Sequence, residues 1–331
     1  MKILFIAARE SDYLQDLTYH GLKRSLGSRV VELPFNWSYH FSRKQYPRNL
    51  GLIKGNAFQR AFSKHEFSLI SHVIVGSAKP ETFTEYLKII DQIPPETKTI
   101  FVDGGDFSDI GGDLRRLKCP ELYTKAIEKR PFDLIFKREY LLNGEYPRNV
   151  FPFPFSVNFE RMPAPLSIYG HQAAKYKYEV SFWAVESHPI RSQALGLIEN
   201  KFDCRDNGTH RQQIFKKYRR KGQFYLEELQ RCKITLNFRG VGWDTLRYWE
   251  VPGVGGFMIS QRPQILIPFD FEHGKEVVFC KDDLSDLIDL CSYYLKYEDK
   301  RIAIAKAALR KAHAYHSTLA RARTLIELGK V

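Results

Sequence analysis

Short apolar runs alternate with amphipathic stretches along most of the chain, and this alternation predicts an α/β fold with parallel sheets. Residues 2–8 form the first apolar run and predict a buried strand. Leucines at helical spacing follow and end at Gly27, which is typical of a helix stop. The next predicted strands are Val30–Leu33, His72–Val75, Thr99–Val102 and Asp133–Phe136.

The proline-rich segment Phe151–Phe155 divides the pattern into two halves. It cannot be helical, because each proline restricts its own φ and the conformation of the residue before it. We therefore predict an N-terminal Rossmann-like domain over 1–155 and a linker over 156–175. A second Rossmann-like domain follows over 176–315. A terminal helix is predicted over 316–331. Whether it crosses back to the N-terminal domain is not determined by the sequence.

The second half repeats the alternation of strands and helices. The predicted strands are Tyr178–Val185, Cys232–Phe238, Phe257–Ser260 and Val277–Cys280. The predicted helices are Ile190–Asn200, Asp244–Val251, one that begins after an N-cap at Asp283, and one over 299–330. Two successive open parallel sheets are expected to face an interdomain cleft that binds the ligand.

The charge of the chain is strongly positive, 51 − 38 = +13, and favours acidic partners such as nucleotide phosphates, anionic glycans, anionic lipids or nucleic acid. The densest basic cluster is Lys216–Lys221. It is interpreted either as a solvated helix face or as a docking surface for an anionic acceptor or a membrane.

No run of 18 apolar residues predicts a membrane span, and the N-terminal apolar run is too short for a signal peptide. The five cysteines are widely spaced without a CxxC pair, which is typical of reduced thiols. We expect a cytoplasmic protein, with peripheral contact at the inner face of the membrane as a further option.

The most informative stretch is residues 240–257, where glycines precede a short predicted helix. Asp244 is a candidate N-cap, and the helix N-terminus offers N–H groups and partial positive charge to a phosphate. Arg247 and Glu250 are three residues apart and share one helix face. An Arg there suits a diphosphate and a Glu suits ribose hydroxyls, although an ordinary surface pair remains the alternative.

The run Thr245–Glu250 followed by Gly255–Ser260 resembles the donor-site signature of group 1 glycosyltransferases of the GT-B fold, and most closely the CgeB-like branch. The resemblance covers roughly residues 178–325. It implies two Rossmann-like domains around a cleft and a nucleoside-diphosphate sugar held mainly by the C-terminal half. The nucleotide-sugar-binding residues it implies are Arg191, Thr245, Arg247, Glu250, Gly255 and Gly256.

In that family the glutamate matching Glu250 binds ribose, and the arginines matching Arg247 and Arg191 face the diphosphate. An earlier family glutamate would fall at Gly242, so the contact to the sugar departs from the family pattern. A fainter similarity, through Thr245–Glu250, is to the T-even phage DNA β-glucosyltransferase, whose catalytic aspartate matches Asp103.

Candidate catalytic bases lie in the loop after a predicted strand, where open α/β sheets bind their ligands. Asp103 is the first choice and Asp106 the second, and a turn-capping role is the alternative for each. Asp12, Asp16 and His20 form another group in the first βα unit. Asp16 and His20 are expected on the acceptor side, with a structural histidine as the alternative.

The preferred function is transfer of a sugar from a UDP-, GDP- or dTDP-linked donor to a glycan, lipid-linked glycan or protein acceptor. It is expected to need no metal ion or cofactor and to invert the anomeric configuration, because an aspartate follows the N-terminal-domain strand. Two alternatives are a DNA-base glucosyltransferase and a non-catalytic module that binds a nucleotide or a glycan. Nucleic acid is the less favoured partner, because no known binding motif is present.

Overall fold

The structure is a computed structural model that describes most of the 331 residues. The described residues are 2–10, 12–36, 39, 47, 64–165, 176–181, 184–204, 209–210, 213–214 and 222–331. The basic cluster Lys216–Lys221 and most of the stretch 37–63 lie outside them. The chain divides into two compact units. Unit 1 comprises 1–158, 265–268 and 318–331, and unit 2 comprises 159–264 and 269–317.

Unit 1 contains a six-stranded parallel sheet in the order β2-β1-β3-β4-β5-β6. Its strands are β1 Lys2–Ile6, β2 Val30–Leu33, β3 Ile70–Val75, β4 Lys98–Asp103, β5 Leu134–Lys137 and β6 Val150–Pro152. Its helices are α1 Tyr13–Leu26, α2 Lys64–Phe67, α3 Pro80–Ile89, α4 Gly112–Arg116 and α5 Pro120–Lys129. The central strands read as continuous apolar runs because helices cover both faces of a parallel sheet.

The C-terminal helix, Thr318–Gly329, belongs to unit 1 and packs against α1. A β-carbon added at Gly21 would lie 2.1 Å from the carbonyl oxygen of Thr318, so only glycine allows the two helices to approach this closely. Arg321 is buried beneath the proline-rich segment, where it donates to the carbonyls of Pro154 and Phe155 at 3.1 and 3.2 Å.

Unit 2 contains a four-stranded parallel sheet in the order β12-β11-β10-β7. Its strands are β7 Tyr178–Ser181, β10 Cys232–Asn237, β11 Met258–Gln261 and β12 Val278–Cys280, and a separate antiparallel pair is formed by β8 Thr209–His210 and β9 Gln213–Ile214. Its helices are α6 Pro189–Ile198, α7 Gln223–Gln230, α8 Leu246–Gly253, α9 Leu287–Lys296 and α10 Glu298–Tyr315, and the terminal helix in unit 1 is α11.

Two predicted helices differ from the structure by more than a shift of their bounds. The single helix expected over 299–330 is two helices, α10 and α11, which are separated at His316 and Ser317. The helix expected after Asp283 begins only at Leu287, because the Asp283 carboxylate accepts from Ser285 N in a local turn and Leu284 takes a φ of +60°.

Predicted strand Phe257–Ser260 is β11, and the short helix predicted at Asp244–Val251 is α8, shifted by two residues at each end. No helix among the described residues has both the length and the apolar character needed to cross a membrane.

Candidate functional site

The carboxyl edge of the unit 2 sheet is organised by hydrogen bonds between side chains that follow or end its central strands. Asn237, the last residue of β10, donates to the Ser260 hydroxyl of β11 at 3.0 Å. Thr245 donates its hydroxyl to the Asn237 side-chain carbonyl at 2.7 Å. These bonds fix the loop 238–245 at the edge where parallel α/β sheets bind their ligands.

The N-cap of α8 is Thr245, whose backbone is extended with φ −116° and ψ 144°. The predicted cap, Asp244, instead accepts from the indole Nε1 of the fully buried Trp249 at 2.7 Å. This is a correction to the sequence prediction, since the N-cap is Thr245, which makes no side-chain cap hydrogen bond, and the Asp244 carboxylate anchors the helix laterally. The first-turn N–H groups of a helix have no intrahelical partner, and they carry the positive end of its dipole.

Arg247 and Glu250 lie on α8 and neither extends into solvent, with exposed fractions of 8% and 5%. Tyr225, on α7, donates its hydroxyl to Oε2 of Glu250 at 3.1 Å. Burial and the Glu250 carboxylate raise the pKa of the Tyr225 phenol, and the nearby Arg247 guanidinium opposes that shift. An arginine, a carboxylate and a phenol are therefore grouped around one helix face.

Arg191, near the start of α6, is buried at 7% exposure. Its guanidinium donates to the carbonyls of Arg239, Val185 and Phe238 at 2.8, 2.6 and 3.1 Å. A β-carbon on Gly240 would lie 3.1 Å from Nη2 of Arg191, so glycine lets the loop lie directly on the guanidinium. The structure thus shows Arg191 joining the loops that follow β7 and β10, and its predicted contact with phosphate stays a prediction.

Positive charge is concentrated at this edge. His188, the N-cap of α6, accepts from Ile190 N through Nδ1 at 3.3 Å. Burial, followed by the charges of Arg239 and Arg191, lowers the pKa of His188. Arg239 also lies over the Trp243 ring at 4.0 Å. Neither Arg239 nor His188 was predicted from the sequence, because neither lies within the donor-site signature.

Gly255 and Gly256 lie elsewhere on the unit 2 sheet. They form the turn that ends α8, where Gly255 has a φ of +75° and Gly256 N donates to Val251 O at 2.8 Å. This turn leads into the amino end of β11, at the opposite edge from Asn237. The structure therefore does not bring the two glycines together with Thr245, and their role is to reverse the chain.

In unit 1, Asp103 ends β4 and is fully buried against Lys137, whose Nζ lies 3.0 Å from Oδ2. The same oxygen accepts from Gly111 N at 2.8 Å, and Oδ1 accepts from Gly105 N at 3.3 Å. The ammonium and the two backbone N–H groups hold both oxygens of the carboxylate inside unit 1. This geometry suits a structural anchor for the loop 104–111 rather than proton transfer.

Asp106 is half exposed and pairs with Arg138, which also contacts Glu139 at 3.4 Å. Asp16 and His20 are both buried on α1. Asp16 accepts from the Tyr39 hydroxyl at 2.9 Å, and His20 Nδ1 lies 2.9 Å from the Thr318 hydroxyl. The structure therefore places these two residues in internal contacts of unit 1.

Asp12 lies at that edge and was grouped in the sequence with Asp16 and His20. It N-caps α1 by accepting from Gln15 N at 3.1 Å, and its other oxygen accepts from Ser77 Oγ at 2.6 Å. Burial raises the pKa of Asp12 despite these two bonds and despite the charges of Arg138 and Lys79. Across the described residues, no group of three or more His, Cys, Asp or Glu side chains is arranged to hold a metal ion.

Residues 198–327 match the model of a family described as glycosyl transferase-like. A search of curated proteins found no match. Solved structures share the fold along the whole chain. An alpha-glucosyltransferase in complex with UDP and a 13-mer DNA has a TM-score of 0.62 at 10% identity and covers 100% of each chain.

Anabaena HepE, solved with UDP and glucose, has a TM-score of 0.59 at 10% identity and covers 100% of this chain and 99% of its own. Sucrose-phosphate synthase from Thermosynechococcus elongatus has a TM-score of 0.53 at 10% identity, with 100% and 98% covered. The predicted GT-B fold is confirmed, and residues 198–327 are similar to a glycosyl transferase-like family. The narrower CgeB-like assignment stays a prediction.

Proposed function

We propose that this chain transfers a glycosyl group from a nucleoside-diphosphate sugar to a hydroxyl-bearing acceptor. The observation that carries the proposal is the α8 face, where buried Arg247 and Glu250 lie beside Tyr225. A guanidinium suits a diphosphate, and a carboxylate suits the two hydroxyls of a ribose. The family match over 198–327 supports the same assignment, since it contains this helix.

The leaving diphosphate must be stabilised as the glycosidic bond breaks. Arg239, Arg191 and the N-termini of α6 and α8 all lie at the carboxyl edge of the unit 2 sheet. Preorganised cations and helix dipoles stabilise developing negative charge without solvent reorganisation. On this proposal the reaction proceeds without a divalent metal, and turnover is expected to be unchanged by EDTA.

The donor nucleotide is proposed to be UDP-linked, with GDP and dTDP as the alternatives. Two of the structures that share the fold were solved with UDP, which makes UDP the first probe. A thermal-shift screen against UDP, GDP, dTDP and CMP tests the assignment, because a ligand at 100 times its Kd stabilises the folded state by about 2.7 kcal/mol. A screen in which no nucleotide raises the Tm would contradict the proposal.

Inversion of configuration is the proposed stereochemistry, with a glycan, lipid-linked glycan or protein as the acceptor. If UDP-α-glucose is hydrolysed, inversion releases β-glucose, which proton NMR detects before mutarotation. Release of α-glucose would indicate retention. Cytoplasmic location and contact with an anionic membrane are part of the same proposal, and vesicle sedimentation with anionic lipids tests the latter.

A DNA-base glucosyltransferase is the second candidate, because the net charge of +13 suits a polyanion and one protein of this fold was solved with DNA. Binding to duplex phosphates would weaken steeply with salt. A gel shift with duplex DNA at 50 and 200 mM salt separates this candidate from a glycan acceptor. A folded protein that binds nucleotide but never turns over a donor would instead support the non-catalytic alternative.

A further inference from the structure

Three loops of unit 1 meet at the Asp12 carboxylate. Asp12 follows β1, Ser77 follows β3, and Gly104 follows β4. The Ser77 hydroxyl donates to Oδ2 at 2.6 Å, and a β-carbon on Gly104 would lie 3.0 Å from Oδ1. The carboxylate is thus held at the central strands of the sheet, at the edge where ligands of open parallel sheets bind.

Asp12 differs from Asp103 in how its charge is compensated. Asp103 has no exposed surface and its oxygens accept from the Lys137 ammonium and two backbone N–H groups. Asp12 keeps part of its surface exposed and accepts from one hydroxyl and one backbone N–H. Arg138 and Lys79 face it from two other loops, and burial nevertheless raises its pKa. Asp12 is therefore the more accessible of the two carboxylates, and burial shifts its own pKa in the direction that favours accepting a proton.

The surroundings of Asp12 indicate the class of acceptor. Tyr13 is 38% exposed and meets Phe155 edge-on, with ring centroids 6.5 Å apart. Arg138 lies over the Phe155 ring at 4.6 Å, and the carboxylates of Asp106 and Glu139 neutralise its charge. The Tyr13 ring is thus an exposed aromatic surface next to Asp12, in a neighbourhood where the Arg138 charge is compensated. Such a surface suits a neutral carbohydrate better than a chain of phosphates.

We infer that Asp12 is the base that accepts the proton of the acceptor hydroxyl, and that the acceptor group bound there is a neutral sugar. This inference rests on the proposed glycosyl transfer. The acceptor oxygen bonds to the anomeric carbon as its proton passes to the Asp12 carboxylate. The bond from that carbon to the diphosphate oxygen breaks, and the electron pair leaves with the nucleoside diphosphate.

The test uses water as the acceptor and follows UDP release from UDP-glucose. Asp12→Asn is expected to lower the rate by at least about 100-fold, the lower end of what a general base contributes. Its affinity for UDP, measured by calorimetry, should be unchanged. Asp109→Asn is the matched control, because that carboxylate is 58% exposed and pairs only with Arg115 among the contacts described, so its rate should equal wild type.

Ser77→Ala provides a readout that a purely structural role would not change. Loss of the donated hydroxyl raises the Asp12 pKa further, so the acidic limb of the pH–rate profile should move to higher pH. An Asp12→Asn variant that hydrolyses UDP-glucose at the wild-type rate would overturn the assignment.

If the wild type binds UDP without hydrolysing the donor, the role of Asp12 is tested by carbon-13 NMR, which follows the titration of the aspartate Cγ atoms. The Asp12 signal, assigned by its loss in Asp12→Asn, must titrate above the ordinary aspartate range, and a signal titrating within or below it overturns the proposal. Failure of the wild type to bind UDP would overturn the donor assignment itself, and the Asp12 role with it.

Discussion

Lys137 Nζ lies 3.0 Å from the Asp103 carboxylate, and both side chains are completely buried. The pair connects the ends of neighbouring strands β4 and β5, and Lys137 also donates to the carbonyl of Phe107. By sequence alone, an aspartate at the end of a central strand is equally consistent with a catalytic base and with a structural anchor. The partner that decides between the two roles lies 34 residues away in the chain.

Asp103→Asn is expected to destabilise the protein, because it leaves the Lys137 ammonium buried without its counter-charge. Breaking a buried pair at one side costs about 3–5 kcal/mol, which urea denaturation of the purified variant measures. The double variant Asp103→Asn, Lys137→Met should recover part of that loss. An Asp103→Asn protein with wild-type stability and no turnover would instead restore Asp103 as the base.

Tyr225→Phe removes the hydroxyl that donates to Glu250 at 3.1 Å. We expect UDP affinity to fall about tenfold, because a hydrogen bond to a charged group contributes about 1.5–3 kcal/mol and orients the carboxylate. Calorimetry measures the change. Phe224→Leu is the control, since that neighbouring ring is 65% exposed and its loss should leave the Kd as in wild type. An equal loss in both variants would point to a general disturbance of α7.

Gly21→Ala tests the contact between α1 and α11. The new methyl group would lie 2.1 Å from the Thr318 carbonyl oxygen, so the helices must separate and the free energy of unfolding should fall by about 1–3 kcal/mol or more. Gly196→Ala, in exposed space on α6, should raise it by about 0.5–1 kcal/mol. Thermal unfolding measures the Tm of the two variants. Equal Tm values for Gly21→Ala and Gly196→Ala would contradict the close packing of α1 against α11.

His72 predicts a pH dependence of stability. Its Nε2 donates to Gly329 O at 3.1 Å, and burial lowers its pKa below the ordinary 6.5. The unfolded chain therefore binds the proton more readily, and this contribution to stability is lost as the pH falls below about 6.5. His72→Gln should flatten the dependence of the urea unfolding midpoint on pH below about 6.5. An unchanged slope would assign the dependence to other groups.

The elements with continuous apolar runs were predicted well, because burial on both faces of a parallel sheet leaves a strong composition signal. Val30–Leu33 is β2 at the predicted bounds. The helical pattern over 299–330 continues through His316 and Ser317 and does not show the break, although the predicted domain boundary after residue 315 lies beside it.

The placement of Arg247 and Glu250 on one short helix was predictable, because it depends on neighbours within that helix. The site was not predictable where long-range contacts decide the role of a side chain. Gly255 belongs to the donor-site signature in sequence but lies before the amino end of β11, because α8 runs from one sheet edge to the other. Arg239 and Tyr225 join the site only through the fold.

Calorimetric titration of UDP decides whether the α8 face holds the nucleotide of the donor. We predict that Glu250→Ala and Arg247→Ala each weaken UDP binding by at least about tenfold, as expected for losing a charged hydrogen-bonding group. Glu199→Gln, an exposed carboxylate at the end of α6, should bind UDP as the wild type does. Wild-type affinity in a folded Glu250→Ala protein would contradict the account.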